Sequence, residues 1–512
     1  MNDTRRTKIL LVALNPGSLY IYGVRSLSAV LNSQGFDTRI LFFFPNQFAW
    51  DNDKAISNFI QFCVNFDLIG FSFTSYNFFL AVKLAEAIKR NSPDKIILFG
   101  GADPTAEPQR SLKVADAVCV GEGEVALPAF VKALEEGKAK PSVPGLWLKD
   151  QKENLNQPLQ PLVRDFSRIP TVDNNFQRHF VLHRGNILNI EGRIAKLYLM
   201  SNYMTMTSFG CSLMCTYCLN NRMKVLYPDW AVVRRRPVKY IIEEFKDATK
   251  QIPWIRSIDL VDDDFGNAPI EYLREFQREY RRNIGLPLDV MGLRPPDIIP
   301  EKLDVLREAG TVKVRMGIQT VNQETKSIFK RGYSNDFLME KIKLLNQYKE
   351  AFYGIRYDFI IDTPWDIQGA SLETLEFISR IPSPFIVNIF TLAFFPGTQL
   401  YSRALQEGII RQEDVWEGRL NENFMQLKPT WVNFLLVFMN IIPLRPKLLA
   451  FLLRNSITKR IKRVPRGIFK CLQLLAFAKR WIWFVGHGDY SQIRKLLLYW
   501  SEYRFLFKGQ GS

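Results

Sequence analysis

Apolar runs alternate with amphipathic stretches through the first 136 residues. "KILLVALNPG" reads as a buried strand closed by a Pro-Gly turn, "SLSAVLNSQGF" as a helix stopped by Gly35, and "TRILFFF" as the next strand. "DLIGFSFTS" and "KIILFGGADPT" are two more strands, separated by the helix "NFFLAVKLAEAIKRN", and "DAVCVGEGE" is another. This βαβ rhythm predicts an α/β unit, a doubly wound parallel sheet with helices on both faces. Ligands on such sheets sit at the carboxyl ends of the strands. The loops concerned are 15–17, 72–75, 100–105 and 121–124. Ser72, Thr74, Gly100, Gly101, Gly121 and Gly123 are therefore candidate cofactor contacts, although a plain turn also requires glycine.

Residues 140–200 lose this rhythm and read as a connector with a hairpin or two. It holds two of the three histidines, His179 and His183, which read as solvated or packing residues. A second series follows. "SIDLVDDDF", "LDVMGLR", "TVKVRMGIQT", "IRYDFIIDTP" and "FIVNIFTLAFFPGT" predict strands, with helices such as "IEYLREFQREYRRN" between them. β/α alternation over about 203–400 predicts a full or partial barrel with a site at the strands' carboxyl ends. The expected divisions are 1–140, a connector 141–200, a barrel 201–405 and a helical region 406–512.

Charge sharpens the last boundary. Of a net +17, +13 lies between Trp431 and Ser512, where fifteen Lys and Arg face only Asp489 and Glu502. A nearly neutral body thus carries a basic, aromatic-rich tail. The N-terminus has no secretory apolar core, and six cysteines in 512 residues make no disulfide scaffold. Both features suggest a cytoplasmic, reducing location.

Three of those six cysteines crowd into "TSFGCSLMCTYC", as Cys211, Cys215 and Cys218. Structural zinc wants four ligands, and no second pair completes the set. Three thiolates on one loop can instead hold three irons of a [4Fe–4S] cluster and leave the fourth iron open to a co-substrate.

The C-x3-C-x2-C spacing, with aromatic Tyr217 before the last cysteine, resembles the radical S-adenosylmethionine (SAM) superfamily. The resemblance extends to the subset with an N-terminal cobalamin-binding domain. "VDDDF" (Asp262 to Phe265), "MGIQT" (Gly317 to Thr320), "DTP" (Asp362 to Pro364) and "PGTQLY" (Pro396 to Tyr401) match its later motifs in order. "GFSFTS", "FGGADPT" and "VGEGE" match its first sheet. It implies a Rossmann-like domain, a partial (β/α) barrel of radical SAM type and a C-terminal α-helical tail. There are departures. Phe209 stands where many members have Arg, Gln319 replaces a common Glu, and Asp362 replaces the Gly of Gly-x-Pro. "LNPGSLYIYG" lacks the Asp-x-His-x-x-Gly pattern, so no imidazole is offered to cobalt. Either cobalamin binds without histidine ligation or the domain is degenerate; the other intact loops favour binding.

The resemblance implies that the cluster binds and reduces SAM, giving a 5′-deoxyadenosyl radical that attacks an unactivated carbon. Cys211, Cys215 and Cys218 are the implied iron ligands. Tyr217, Arg294, Gly317 and Gln319 are implied SAM-side contacts, and Asp262 and Asp263 are candidates for the reaction chamber. Methyl transfer is the commonest outcome in such enzymes; cyclisation or coupling is the alternative. An electron donor such as flavodoxin or ferredoxin is implied.

The tail adds a partner class. "PTWVNFLLVFMNIIPL" is too short and interrupted to span a bilayer and reads as interfacial. Downstream, Trp481, Trp483, Phe484, Trp500 and Phe505 interleave with Lys and Arg, as in helices that lie on anionic lipid. A packed helical cap is the competing reading. The expected substrate is a hydrophobic small molecule, lipid-like or tetrapyrrole, and the expected location includes peripheral contact at the cytoplasmic membrane face. RNA is disfavoured, because the tRNA-modifying relatives carry three further N-terminal cysteines and this chain has only Cys63 and Cys119 there. A non-catalytic sensor would not need the "MGIQT" and "PGTQLY" segments.

Overall fold

The computed structural model describes the chain except residues 1–5, 15–16, 45–52, 139, 150–157, 367–368, 414–426, 445, 455–460, 462 and 489–512. The first sheet contains β1 (Lys8–Leu14), β2 (Asp37–Phe43), β3 (Leu68–Ser72), β4 (Ile96–Gly100), β5 (Ala117–Cys119), β6 (Leu146–Leu148), β7 (Phe180–His183) and β8 (Asn186–Asn189). Its spatial order is β6-β5-β4-β3-β1-β2-β7-β8. The strands from β5 through β7 run parallel, while β6 and β8 are antiparallel edges. β1 is buried on both faces, as a continuous apolar run between two helical layers requires.

Residues 141–200 do more than connect. They supply β6 to one edge and the β7–β8 hairpin to the other, so the first sheet extends beyond residue 140. Unpaired edge groups of a parallel sheet need partners, and these short strands provide them. His179 is buried there. Its Nδ1 accepts from the Ile40 N–H at 3.2 Å, and Nε2 lies 3.1 Å from Asp173.

Two short antiparallel strands, β10 (Ser208–Phe209) and β11 (Arg234–Arg235), flank the cysteine loop. The second sheet comprises β9 (Asn202–Thr205), β12 (Ser257–Leu260), β13 (Leu288–Leu293), β14 (Thr311–Gln319), β15 (Gly354–Ile361) and β16 (Ile386–Thr391). All run parallel in the order β16-β15-β14-β13-β12-β9, an open six-stranded barrel. Its outward residues, among them Val314, Met316, Tyr357 and Phe359, join the helices in one large core.

Tail helices cover Trp431–Met439, Pro446–Leu452 and Arg466–Gly486. The first buries Asn433, Leu435, Leu436, Val437 and Met439 in protein, so the expected interfacial role for this run gives way to packing. Phe484 is also buried, against Tyr353 and over Lys313, and is not a lipid anchor. Trp500 and Phe505 lie outside the described residues. Among the described residues no helix is long and apolar enough to cross a membrane.

Candidate functional site

The cysteine loop leaves β10 and ends at Cys218, which caps the helix Leu219–Leu226. Cys211 and Cys215 are buried and Cys218 is half-buried. Burial pushes the Cys211 thiol up to about 12 and the Cys218 thiol to about 11, so iron coordination would have to draw the protons off. N–H donors already point at the sulfurs. Arg331 Nη1 is 3.5 Å from Cys215 Sγ, and Asn220 Nδ2 is 3.7 Å from Cys218 Sγ. A loop of three buried thiols with a guanidinium beside one of them fits a thiolate-ligated cluster. Among the described residues no three His, Cys, Asp or Glu converge as a single-ion site. Cluster thiolates each take a different iron and stand apart.

Three neighbours fix this loop. The carboxylate of Asp262, buried at the end of β12, accepts from the Thr207 N–H at 3.0 Å and from the Thr207 and Ser208 hydroxyls at 2.8 and 2.5 Å. Asp264 accepts from the Ser212 N–H and hydroxyl at 3.0 and 2.8 Å. Arg294 joins that hub, with Nη1 donating to Ser212 Oγ, Nε 3.0 Å from Asp264 and Nη2 2.7 Å from Asp297. Arg294 and Asp262 thus already hold protein groups. Asp263 is exposed by contrast, with the Asn220 side chain as its hydrogen-bond partner, and desolvation raises its carboxyl above the usual range.

Gly317 and Gln319 lie together on β14. Gln319 has φ +74, in the left-handed region, and the β14–β15 register slips between the two residues. The kink folds the Gln319 amide against Gly317, where an added Cβ would meet Nε2 at 2.7 Å. The Gly317 carbonyl accepts from Arg331, the same guanidinium that reaches Cys215. Arg331 therefore ties the cysteine loop to β14. The sequence reading missed it, because nothing local in "FKRGYS" marks the arginine. Tyr217 packs edge-on against Phe329 in the cluster that holds Leu400 and Tyr401.

The first sheet's carboxyl ends form a crest beside this loop. Ser72, Thr74, Gly100, Gly101 and Gly121 stand on it, and Thr74 and Gly101 are exposed. Gly101 (φ +94) and Gly121 (φ +91) need glycine for contacts within the protein. A Cβ on Gly101 would meet the Phe73 backbone at 3.0 Å, and one on Gly121 would collide with the Tyr227 hydroxyl. Gly123 is buried against Leu27. That Tyr227 hydroxyl is buried against Gly121, beside the Glu122 backbone. None of the histidines stands on the crest. His179 is within the sheet edge, His183 bonds Tyr198 at 2.9 Å, and His487 stacks on Tyr353. The crest residues thus fit a cofactor bound without imidazole.

Crest and barrel meet directly. The Tyr76 and Phe395 rings contact edge-on at 5.6 Å, and Gly397 (φ +80) packs against Ala106, where a Cβ would meet its carbonyl at 3.0 Å. Leu400 N–H bonds the Thr216 carbonyl at 3.0 Å, so "PGTQLY" links crest, barrel and cysteine loop.

Comparison with known proteins agrees with this arrangement. The B12 binding domain family matches residues 10–131 and the Radical SAM superfamily matches residues 205–364. Uncharacterized methyltransferase PH0819 of Pyrococcus horikoshii is 22% identical over 352 residues, 67% of this chain and 70% of its own. Bacteriochlorophyllide d C-8(2)-methyltransferase of Chlorobaculum tepidum is 21% identical over 379 residues, 71% of this chain and 74% of its own. Among solved structures, the radical S-adenosylmethionine methyltransferase TsrM from Kitasatospora setae matches with TM-score 0.59 at 15% identity, over 78% of this chain and 76% of that one. The cobalamin-dependent S-adenosylmethionine radical enzyme OxsB, with aqua-cobalamin bound, matches with TM-score 0.57 at 17% identity, over 83% and 58%. At such identities the structural likeness establishes the fold.

Proposed function

Because residues 205–364 match the Radical SAM superfamily and residues 10–131, ahead of the barrel, match the B12 binding domain, we propose that the chain transfers a methyl group to an unactivated carbon of a hydrophobic small molecule. The observation that carries this reading is the seam between crest and barrel, where Tyr76 meets Phe395 and Gly397 meets Ala106 beside the cysteine loop. A cofactor on the crest and a cluster on the loop would face one chamber.

Cys211, Cys215 and Cys218 would hold the cluster, Gly317 and Gln319 would flank SAM, and Ser72, Thr74, Gly100, Gly101 and Gly121 would line the cobalamin. When bound, these groups supply the radical and methyl-group chemistry; the protein supplies placement and a dry site. Arg331 holds a ligand sulfur and the β14 kink in one relation. Asp262 and Asp264 fix the loop from below. Asp263, exposed beside the cysteine loop, would be the group that accepts or returns a proton.

The methyltransferase names of the relatives PH0819 and the Chlorobaculum enzyme support methyl transfer over cyclisation or coupling. We assign electron supply to a small flavodoxin- or ferredoxin-like donor, and a cytoplasmic location at the membrane face to the basic tail. The test is anaerobic incubation with methyl-labelled SAM and a metabolite extract. Label should enter the apolar fraction only when cobalamin is supplied. Accumulation of 5′-deoxyadenosine with no label transfer would favour cyclisation or coupling instead.

A further inference from the structure

The barrel interior on its β13–β16 side is charged rather than apolar. Alternation points Asp289 and Met291 of β13, Lys313 and Arg315 of β14, Arg356 and Asp358 of β15, and Asn388 and Phe390 of β16 inward. Asp289 takes Arg356, and Lys313 lies 3.5 Å from it. Asp358 takes Arg315 Nε at 2.7 Å and Asn388 Nδ2 at 2.7 Å. The helix Arg466–Gly486 then adds a fourth cation, as Arg480 Nη1 donates to Asn388 Oδ1 at 2.8 Å. Four cations therefore face two carboxylates. The next carboxylate round the barrel, Asp259, is bonded by Asn202 at 2.6 Å on the far strands.

Two of the cations have unused capacity. Among the described residues Arg480 has no carboxylate within ion-pair distance. The Nη edge of Arg315 meets only the Met291 sulfur, at 3.8 Å. Burial, with Arg356 and Arg315 beside it, pushes the Arg480 guanidinium down to about 10. Desolvated cations that outnumber their carboxylates are costly unless a further anion completes the cluster. Above Arg315, at 5.5 Å from its guanidinium, lies the Phe390 ring, 43% exposed although it faces into the barrel. Arg315 sits two residues below Gly317, roughly 7 Å along the strand at ~3.3 Å per residue. Gly317 in turn shares Arg331 with Cys215.

We propose that the substrate is an amphiphilic acid whose carboxylate or phosphate is held by Arg315 and Arg480, with its apolar body over Phe390 and Met291. This rests on the proposed use of the barrel as the substrate chamber. It adds an acidic group to the hydrophobic class and gives the tail a residue in the substrate site. Planar, bidentate donors such as Arg suit either acid.

The test is calorimetric titration of the full-length, anaerobically reconstituted protein with octanoate, octyl phosphate, octanamide and inorganic phosphate. Octanoate or octyl phosphate should bind one per chain, the preferred acid naming the group, and octanamide should bind at least about tenfold more weakly. Arg315→Gln and Arg480→Gln should each weaken acid binding by about tenfold, and Phe390→Ala should weaken the octyl compounds without a loss of iron. Lys470→Gln, exposed on the same helix, should leave binding unchanged. Equal binding of octanoate and octanamide, wild-type affinity in both arginine variants, or no saturable binding of either acid would overturn the proposal. Inorganic phosphate binding as tightly as octyl phosphate would likewise overturn the amphiphile. Formation of 5′-deoxyadenosine is measured separately; its absence in every form would overturn the enzymatic reading and leave the binding result standing.

Discussion

Asp362, at the end of β15, receives the Asn433 side-chain N–H at 2.8 Å. Its carboxylate also takes the Lys428 backbone N–H at 3.0 Å. Asp362 has φ +56. It stands where the related motif has glycine, in the left-handed region that glycine occupies without cost. The chain keeps the glycine-like backbone and uses the added side chain to tie the tail to the barrel rim.

That tie predicts two opposing contributions when Asp362 is replaced, and one loss when Asn433 is. Asp362→Gly relieves the backbone but releases the buried Asn433, whereas Asn433→Ala removes the donor and keeps the strain. Each should lower stability by about 1–3 kcal/mol, the range for losing a hydrogen bond to a charged group. The double variant should cost less than the sum, because the two share one interaction. Urea denaturation of the four forms gives the coupling; additive losses would mean that the tail is held elsewhere.

Arg331 is expected to control cluster assembly. Arg331→Met should keep the fold but cut retained iron by half or more after gel filtration, with Arg331→Lys intermediate. Lys lacks the fork that reaches both Cys215 and the Gly317 carbonyl. Iron and sulfide analysis beside a far-ultraviolet spectrum checks this; full iron content in Arg331→Met would contradict it.

The adjacent aspartates should separate. Asp262→Ala strips the acceptor from Thr207 and Ser208, and is expected to destabilise by about 1–3 kcal/mol and to lose iron. Asp263→Ala should retain stability and about four irons while slowing product formation. Melting curves, iron content and turnover, measured on both variants, distinguish a positioning role from one in the chamber.

Much of this was legible from the chain, and the exceptions have physical causes. Strand–helix periodicity and the spacing of Cys211, Cys215 and Cys218 are local patterns, so both sheets and the cysteine loop could be read directly. Arg331, Arg315 and Arg480 could not, because their roles depend on which strands and helices become neighbours. The connector reading of 141–200 includes a hairpin, which β7–β8 supplies; its pairing with β2, and that of β6 with β5, is not legible because short edge strands carry little periodicity. The helix Trp431–Met439 was read as interfacial because an apolar segment looks alike whether protein or lipid buries it; its buried Asn433 belongs to Asp362.

The proposed lipid contact of the tail would rest on a seam narrower than the whole segment. Ile468, Leu475 and Ile482 recur every seven residues on one helix and are 55%, 60% and 64% exposed. Lys470 is exposed on the same helix. Replacing the three by Gln should abolish flotation with anionic vesicles and leave iron content unchanged. Wild-type flotation should weaken with salt, because the charges are screened. If the triple variant still floats, or if the same substitutions instead split a dimer, the seam does not meet lipid.

The most direct measurement is SAM cleavage by the anaerobically reconstituted, cobalamin-supplemented protein under reduction, read as 5′-deoxyadenosine by mass spectrometry. With about four irons bound, the wild type should form it, Cys215→Ala should form none, and Cys471→Ala, altered at an exposed cysteine of the tail, should match the wild type. Iron-loaded wild-type protein that leaves SAM intact, or Cys215→Ala protein that still cleaves it, would contradict the account.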